Sequence, residues 1–121
     1  MTAAAETGRA GERAAAEYLR RAGYEICALN WRQGRYELDI VARREEVLHF
    51  VEVKTRSNTD MGLPREYVTP AKQRRLKKTA LYYLCEKQLD CPARFDVAEV
   101  YADSPYSREN VRIEYLENAF E

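Results

Sequence analysis

The sequence holds a single histidine, His49, in 121 residues. Hydrolysis with imidazole as general base is therefore disfavoured, and activation of water would fall to a metal or a lysine. His49 sits at strand spacing with Val47, Val51 and Val53, so we expect it packed rather than reactive. Cysteine is scarce too. Cys27, Cys85 and Cys91 are an odd set without C-x-x-C spacing. That argues against a disulfide scaffold or a zinc site, and for reduced thiols in a cytoplasmic protein. No apolar run is long enough to cross a bilayer, so no membrane partner is expected. The opening MTAAAETG lacks the basic start and long apolar core of an export signal. Net charge is missing as well: 20 Lys and Arg face 20 Asp and Glu. No global field draws the chain to nucleic acid, and any such binding must come from local clusters. Repeats and low-complexity linkers are absent.

What is present fits a globular protein, with 45% hydrophobic and 33% charged residues. The length suggests one domain over residues 1–121, with residues 1–6 frayed. Its organising stretch is YELDIVARREEVLHFVEVK, Tyr36 to Lys54. Two apolar runs, Leu38 to Ala42 and Val47 to Val53, flank a charged Arg43–Glu46 and read as a β-hairpin. Glu-Glu is a poor primed turn, so the longer, four-residue loop is expected. Asp39, Glu52 and Lys54 are charged residues within these strands, and burying a charge is costly unless it is paired or binds a metal.

Alternation puts Glu52 and Lys54 on one face with Leu48 and Phe50. The hairpin register sets Asp39 opposite Glu52, with Cβ atoms roughly 5 Å apart. Two carboxylates at about 4 Å repel by about 4 kcal/mol at an effective dielectric near 20. A divalent cation reverses that sign. Mg²⁺, or Mn²⁺ in its place, suits a site with one or two carboxylates and retained waters. Lys54, one step along, could orient or deprotonate water, or hold a phosphate oxygen, which suits metal-assisted phosphodiester hydrolysis. An ion-pair ladder, with Lys54 neutralising the acids, explains the same spacing.

The other elements follow in order. A helix from Thr7 to Ala22, capped by Thr7 and ended by Gly23, would bury Ala14, Ala15, Tyr18, Leu19 and Ala22. Glu12 lies near that apolar stripe; a first-turn Glu also suits the helix dipole. Tyr24 to Arg32 reads as a strand, with Trp31 in the core. Thr55 to Pro64 reads as a polar loop from which Thr55 and Arg56 could reach phosphates. Thr69-Pro70 should cap a helix running to Leu89, with Leu76, Ala80, Tyr83 and Leu84 inward. Lys72, Arg74, Arg75, Lys77 and Lys78 crowd its first turns, where the helix dipole does not favour them, so phosphate binding by Lys72 and Arg75 is credible. Arg94 to Tyr101 reads as a strand with an Arg94–Asp96 salt bridge, and Val111 to Leu116 as an edge strand followed by a folded-back Asn118-Ala119-Phe120.

Asp39 followed by Glu52-Val53-Lys54 resembles the PD-(D/E)XK nuclease signature. With Gly11-Glu12, Asn30-Trp31-Arg32, Glu37-Leu38-Asp39-Ile40, Phe50 to Arg56, Lys72, Arg94 to Val97 and Asn118-Ala119-Phe120, the pattern resembles the YraN-like family of small bacterial proteins over nearly the whole chain. Tyr36 stands where that family usually has Gly, and Leu38 where the superfamily often has Pro. The family is similar to archaeal Holliday-junction resolvases. The resemblance implies a restriction-endonuclease-like α/β fold, a central mixed sheet flanked by helices. It implies a nuclease more strongly than any one substrate, and it favours Glu12 as an acidic member of the site. The expected reading is a Mg²⁺-dependent endonuclease on branched or damaged DNA. Asp39, Glu52, Glu12 and the Val53 carbonyl would hold metal, Lys54 would serve water, and Arg56, Lys72 and Arg75 would bind nucleic acid. A homodimer is implied by analogy with symmetric junctions. A non-catalytic nucleic-acid- or protein-binding module, or an RNA-directed nuclease, stays open.

Overall fold

The computed structural model describes residues 3–57, 68–102 and 111–120. The chain runs α1 (Ala3–Arg21), β1 (Glu25–Gln33), β2 (Tyr36–Arg44), β3 (Val47–Ser57), α2 (Pro70–Glu86), β4 (Ala93–Ala102) and β5 (Val111–Phe120). The strands form one sheet in that order. All neighbours are antiparallel except β3 and β4, whose parallel pairing needs a crossover, supplied by the connection carrying α2. One face buries Ile40, Ala42, Val51, Ala98 and Val100 under Ala15, Ala16 and Leu19 of α1. The other buries Leu38, Val41, Leu48, Phe50 and Val97 under Leu76, Ala80 and Tyr83 of α2. This is the expected restriction-endonuclease-like α/β architecture. Among the described residues no helix is long and apolar enough to cross a membrane.

Local chemistry explains the element ends, including those the sequence misplaced. α1 begins at Ala3, so Thr7 is inside the helix and Ala3 to Glu6 belong to it. The run Ala3-Ala4-Ala5 has the highest helix propensity of any residue type and carries the helix past Thr7. The helix closes where Gly23 takes φ +92°, with Tyr24 N–H bonding Leu19 O at 2.9 Å. α2 starts as expected: Thr69 Oγ1 accepts the Lys72 N–H at 3.2 Å, and Pro70 follows. It stops before Leu89, because Gln88 adopts φ +54° and Leu89 N–H returns to Leu84 O at 2.9 Å. There a glutamine does the work usually given to glycine.

The β2–β3 turn is the two-residue form, not the longer loop. Arg44 pairs Val47, and Glu45 and Glu46 take φ of 52° and 68°. Such a primed turn matches the twist of its strands, and Arg43 Nη2 grips Glu46 Oε2 at 2.8 Å. β3 also runs further than expected, so Thr55, Arg56 and Ser57 are strand and not loop. The expected loop beyond Ser57 lies outside the described residues until Val68, as do residues 103–110.

Asp96 does not pair with Arg94. It is fully buried on the α1 side, with His49 Nδ1 2.6 Å from its Oδ2. The Tyr115 hydroxyl donates to that same oxygen, and the Asn118 N–H donates to Oδ1 at 2.7 Å. Arg94 stays in solvent at the start of the strand. Three local donors satisfy the carboxylate instead, and they stitch β5 to β3 through β4. His49 is packed, with Tyr24 edge-on at 5.0 Å. β5 extends to Phe120, which is buried and stacks on Phe95 at 5.1 Å.

Candidate active site

Two strands bend together at one point. In β2, Leu38 and Val41 both pack under α2 while Ile40 faces α1, so strict alternation breaks between them. In β1, Ala28 and Trp31 likewise share the α2 side, and Asn30 between them takes φ +51°. Asp39 lies at this bend. It follows the register that would set it opposite Glu52, but the β2–β3 ladder ends at Ile40 and Val51. The strands part there, and Asp39 Oδ2 accepts the Val53 N–H at 2.9 Å. A side chain thus replaces a ladder bond and is fixed by it.

α1 delivers Glu12 to the same place. A Cβ on Gly11 would collide with Thr55 Oγ1, so glycine lets the helix lie this close to β3 without turning that hydroxyl aside. Carboxylate oxygens of Glu12, Glu37 and Asp39 all fall within 4.8 Å of one another. Glu37 is the member that sequence reasoning missed. Its signal was the i, i+2 spacing to Asp39, but its closeness to Glu12 depends on how α1 packs. Arg32 Nη2 stands 3.7 Å from Glu37 Oε2.

Negative charge is in excess here. Burial, then the field of Glu52, raises the Asp39 pKa to about 7, against the pull of the Val53 N–H, with Glu12 and Glu37 adding to the rise. Burial also raises Glu12; its bond with the Asn30 side chain opposes this, and Glu37 and Glu52 reinforce it.

On the α2 side, Glu52 meets two lysines. Lys72 Nζ is 2.5 Å from Glu52 Oε1, and Lys54 Nζ is 3.6 Å from the same atom. The lysines are driven apart in basicity. Burial and the bond with Lys72 lower the pKa of Lys54, against the attraction of Glu52. Burial also weighs against the charge on Lys72, but its bonds with Glu52 and Lys54 outweigh it and raise the pKa. Lys72, expected on phosphate, is engaged with Glu52. Arg75 is exposed on α2, and Arg56 sits in β3 opposite Tyr101 of β4. Val53 enters the site through its N–H.

A family model matches residues 11–100, a span that takes in Glu12, Glu37, Asp39, Glu52, Lys54 and Lys72. The chain belongs to the uncharacterised protein family UPF0102. A UPF0102 protein of Bacteroides fragilis is 48% identical over 113 residues, covering 93% of this chain and 90% of that protein. One from Syntrophus aciditrophicus is 45% identical over 122 residues, covering 100% of this chain and 93% of its own. A third, from Flavobacterium psychrophilum, is 40% identical over 115 residues, with 95% and 93% covered. These three relatives align with this chain along 90–93% of their own lengths.

Proposed function

We propose that this protein is a divalent-metal-dependent endonuclease that hydrolyses phosphodiester bonds in branched or damaged DNA. The observation that carries this reading is the meeting of three carboxylates within 4.8 Å beside a lysine pair of unequal basicity. The donor set fits a hard cation such as Mg²⁺ or Mn²⁺: it is all oxygen, and burial together with the neighbouring carboxylates inclines Asp39 to keep a proton. Glu12, Glu37 and Asp39 would hold the ion, with Glu52 and the Val53 carbonyl as further donors. Bound there, it would supply a Lewis acid for a phosphoryl oxygen.

The chain's own groups divide the remaining work. The Val53 N–H keeps the Asp39 carboxylate in place. Lys72 holds Glu52 and keeps positive charge beside it. Lys54, the less basic amine, receives in its neutral form a proton from the attacking water at Nζ as the water oxygen joins phosphorus. The P–O bond to the departing strand then breaks, the leaving oxygen takes a proton from solvent water, and Lys54 returns its own proton to solvent. Arg75 and Arg56 would contact flanking phosphates. Three free cysteines, two of them exposed, accord with a reducing cytoplasm. A homodimer would present two such sites to a symmetric junction.

Cleavage of duplex, single-stranded, flap and four-way-junction DNA and of RNA, with Mg²⁺ or Mn²⁺, tests this. We expect wild type to cut at least one DNA and Glu52→Gln and Lys54→Ala to lose at least a hundredfold. Cutting of RNA alone would reassign the substrate. Binding of DNA without cleavage under any metal would make the protein a binding module, a reading that its +0 net charge favours.

A further inference from the structure

On the α2 side, next to Glu37 in sequence, lies a small surface of which the chemistry above uses only Arg75. Tyr36 is the first residue of β2 and the neighbour of Glu37. Its ring is half-exposed and leans on Tyr82 of α2, with centroids 5.3 Å apart and planes at 53°. Two cations attend the same ring: the Arg35 guanidinium at 5.8 Å and Lys78 Nζ at 5.7 Å from its centroid. Both favour the ionised form of its phenol. Arg75, Lys78 and Tyr82 are spaced i, i+3 and i+7, so they share one stripe of α2.

Aromatic rings flanked by cations are how proteins hold single strands. The ring stacks on a base face, and the cations track the backbone. In a duplex both base faces are covered, so such a ring has nothing to stack on except at an end, a flap or a branch. Distance fits as well. From Tyr36 to Asp39 is about 10 Å of strand, roughly three stacked base steps. With +0 net charge overall, attraction to a polyanion must be concentrated locally, and Arg35 together with Arg75 and Lys78 of this stripe is such a concentration.

We propose that Tyr36, backed by Tyr82 and flanked by Arg35 and Lys78, is a stacking platform for an unpaired nucleotide a few positions from the scissile phosphate. The inference rests on the phosphodiesterase reading and narrows it: the preferred substrate carries a single-stranded segment next to the cut.

The test separates the two. Binding of a fluorescein-labelled thymidine oligonucleotide about a dozen nucleotides long, and of a blunt duplex, is followed by anisotropy in EDTA, where no cleavage intervenes. Wild type should prefer the single strand. Tyr36→Ala should weaken that binding about tenfold and leave duplex binding within about twofold, while Tyr36→Phe keeps most of the affinity. Lys78→Gln should weaken binding and make its salt dependence shallower by about 0.7 in the log–log slope. Tyr36→Leu keeps apolar bulk against Tyr82 and replaces Tyr36→Ala should that variant melt early. Equal single-strand affinity of folded Tyr36→Ala or Tyr36→Leu and wild type overturns the platform, as does failure of wild type to bind the oligonucleotide. Cleavage by wild type in either case leaves the nuclease reading standing. A Tyr36-dependent preference in a protein that cuts nothing upholds the platform and overturns the nuclease.

Discussion

Lys72 of α2 reaches across to Glu52 of β3 at 2.5 Å and so stands between Glu52 and full commitment to Lys54, which lies 3.6 Å from the same oxygen. The contact ties the helix of the crossover to the strand it follows. It also places one ammonium beside another, and that neighbour is part of what lowers the basicity of Lys54.

Lys72→Met should therefore change Lys54 as well as remove a charge. With its cationic neighbour gone and Glu52 still present, Lys54 becomes more basic. The Nζ titration of Lys54 seen by NMR should move to higher pH, and in the proposed nuclease the alkaline rise of the cleavage rate should move with it. We expect a stability loss of about 1–2 kcal/mol, since Lys54 remains to pair the half-freed carboxylate. An unmoved titration would show that the two amines do not communicate.

The metal-free protein should lose stability as pH rises. Asp39 keeps its proton up to about 7 when folded and releases it near 3.8 when unfolded. Between those values the native state binds more protons than the unfolded one, so stability falls through that window and the contribution is gone above it. Glu12 adds in the same sense. The melting temperature should be lower near pH 8 than near pH 5 by a few degrees or more. Asp39→Asn should flatten the difference, and Mg²⁺ should restore more of it at the higher pH. A profile that rises between these values would contradict the charge crowding.

Glu37→Gln should weaken Mn²⁺ binding about tenfold, comparably with Glu12→Gln, as read by Mn²⁺ titration under electron paramagnetic resonance. Glu37 is exposed and paired to Arg32, so its loss should leave the melting temperature of the metal-free protein nearly unchanged. Binding equal to wild type would remove Glu37 from the ion's coordination.

Removing the buried carboxylate of the far face should cost more. Asp96→Ala leaves His49, the Tyr115 hydroxyl and the Asn118 N–H without their common acceptor. A loss of about 3 kcal/mol or more is expected. Hydrogen exchange should rise first in β5, whose end this group holds. Asp96→Asn keeps an acceptor and should cost less. Equal losses for both variants would show that charge matters here and acceptor geometry does not.

Much of this was legible because short-range rules governed it. Leu48 and Phe50 alternate with Val47, His49 and Val51, so the face shared by Glu52 and Lys54 could be read directly. Thr69-Pro70 marked the start of α2 by chemistry that needs no tertiary partner. Elsewhere the sequence pointed the wrong way or was silent for a reason. Asp96 has Arg94 two residues away and His49 at a separation of 47, and pattern reading favours the near one. Glu-Glu in a primed turn runs against residue preference and is carried by strand twist and an ion pair. Glu37 joined the cluster because α1 brings Glu12 to it, and no strand periodicity reports where a helix will pack.

The glycine before Glu12 has a meaning for ion choice. A methyl group at Gly11 would strike the Thr55 hydroxyl, so α1 lies close to β3 here, and the next residue, Glu12, meets Asp39 and Glu37. Mg²⁺ binds oxygen at about 2.0–2.1 Å and Ca²⁺ at about 2.3–2.6 Å. In the proposed metal-bound form, a helix pushed back by one extra carbon would carry the Glu12 carboxylate away by a distance of that order. The missing side chain would then act as a gauge, favouring the smaller, more tightly hydrated ion over the larger.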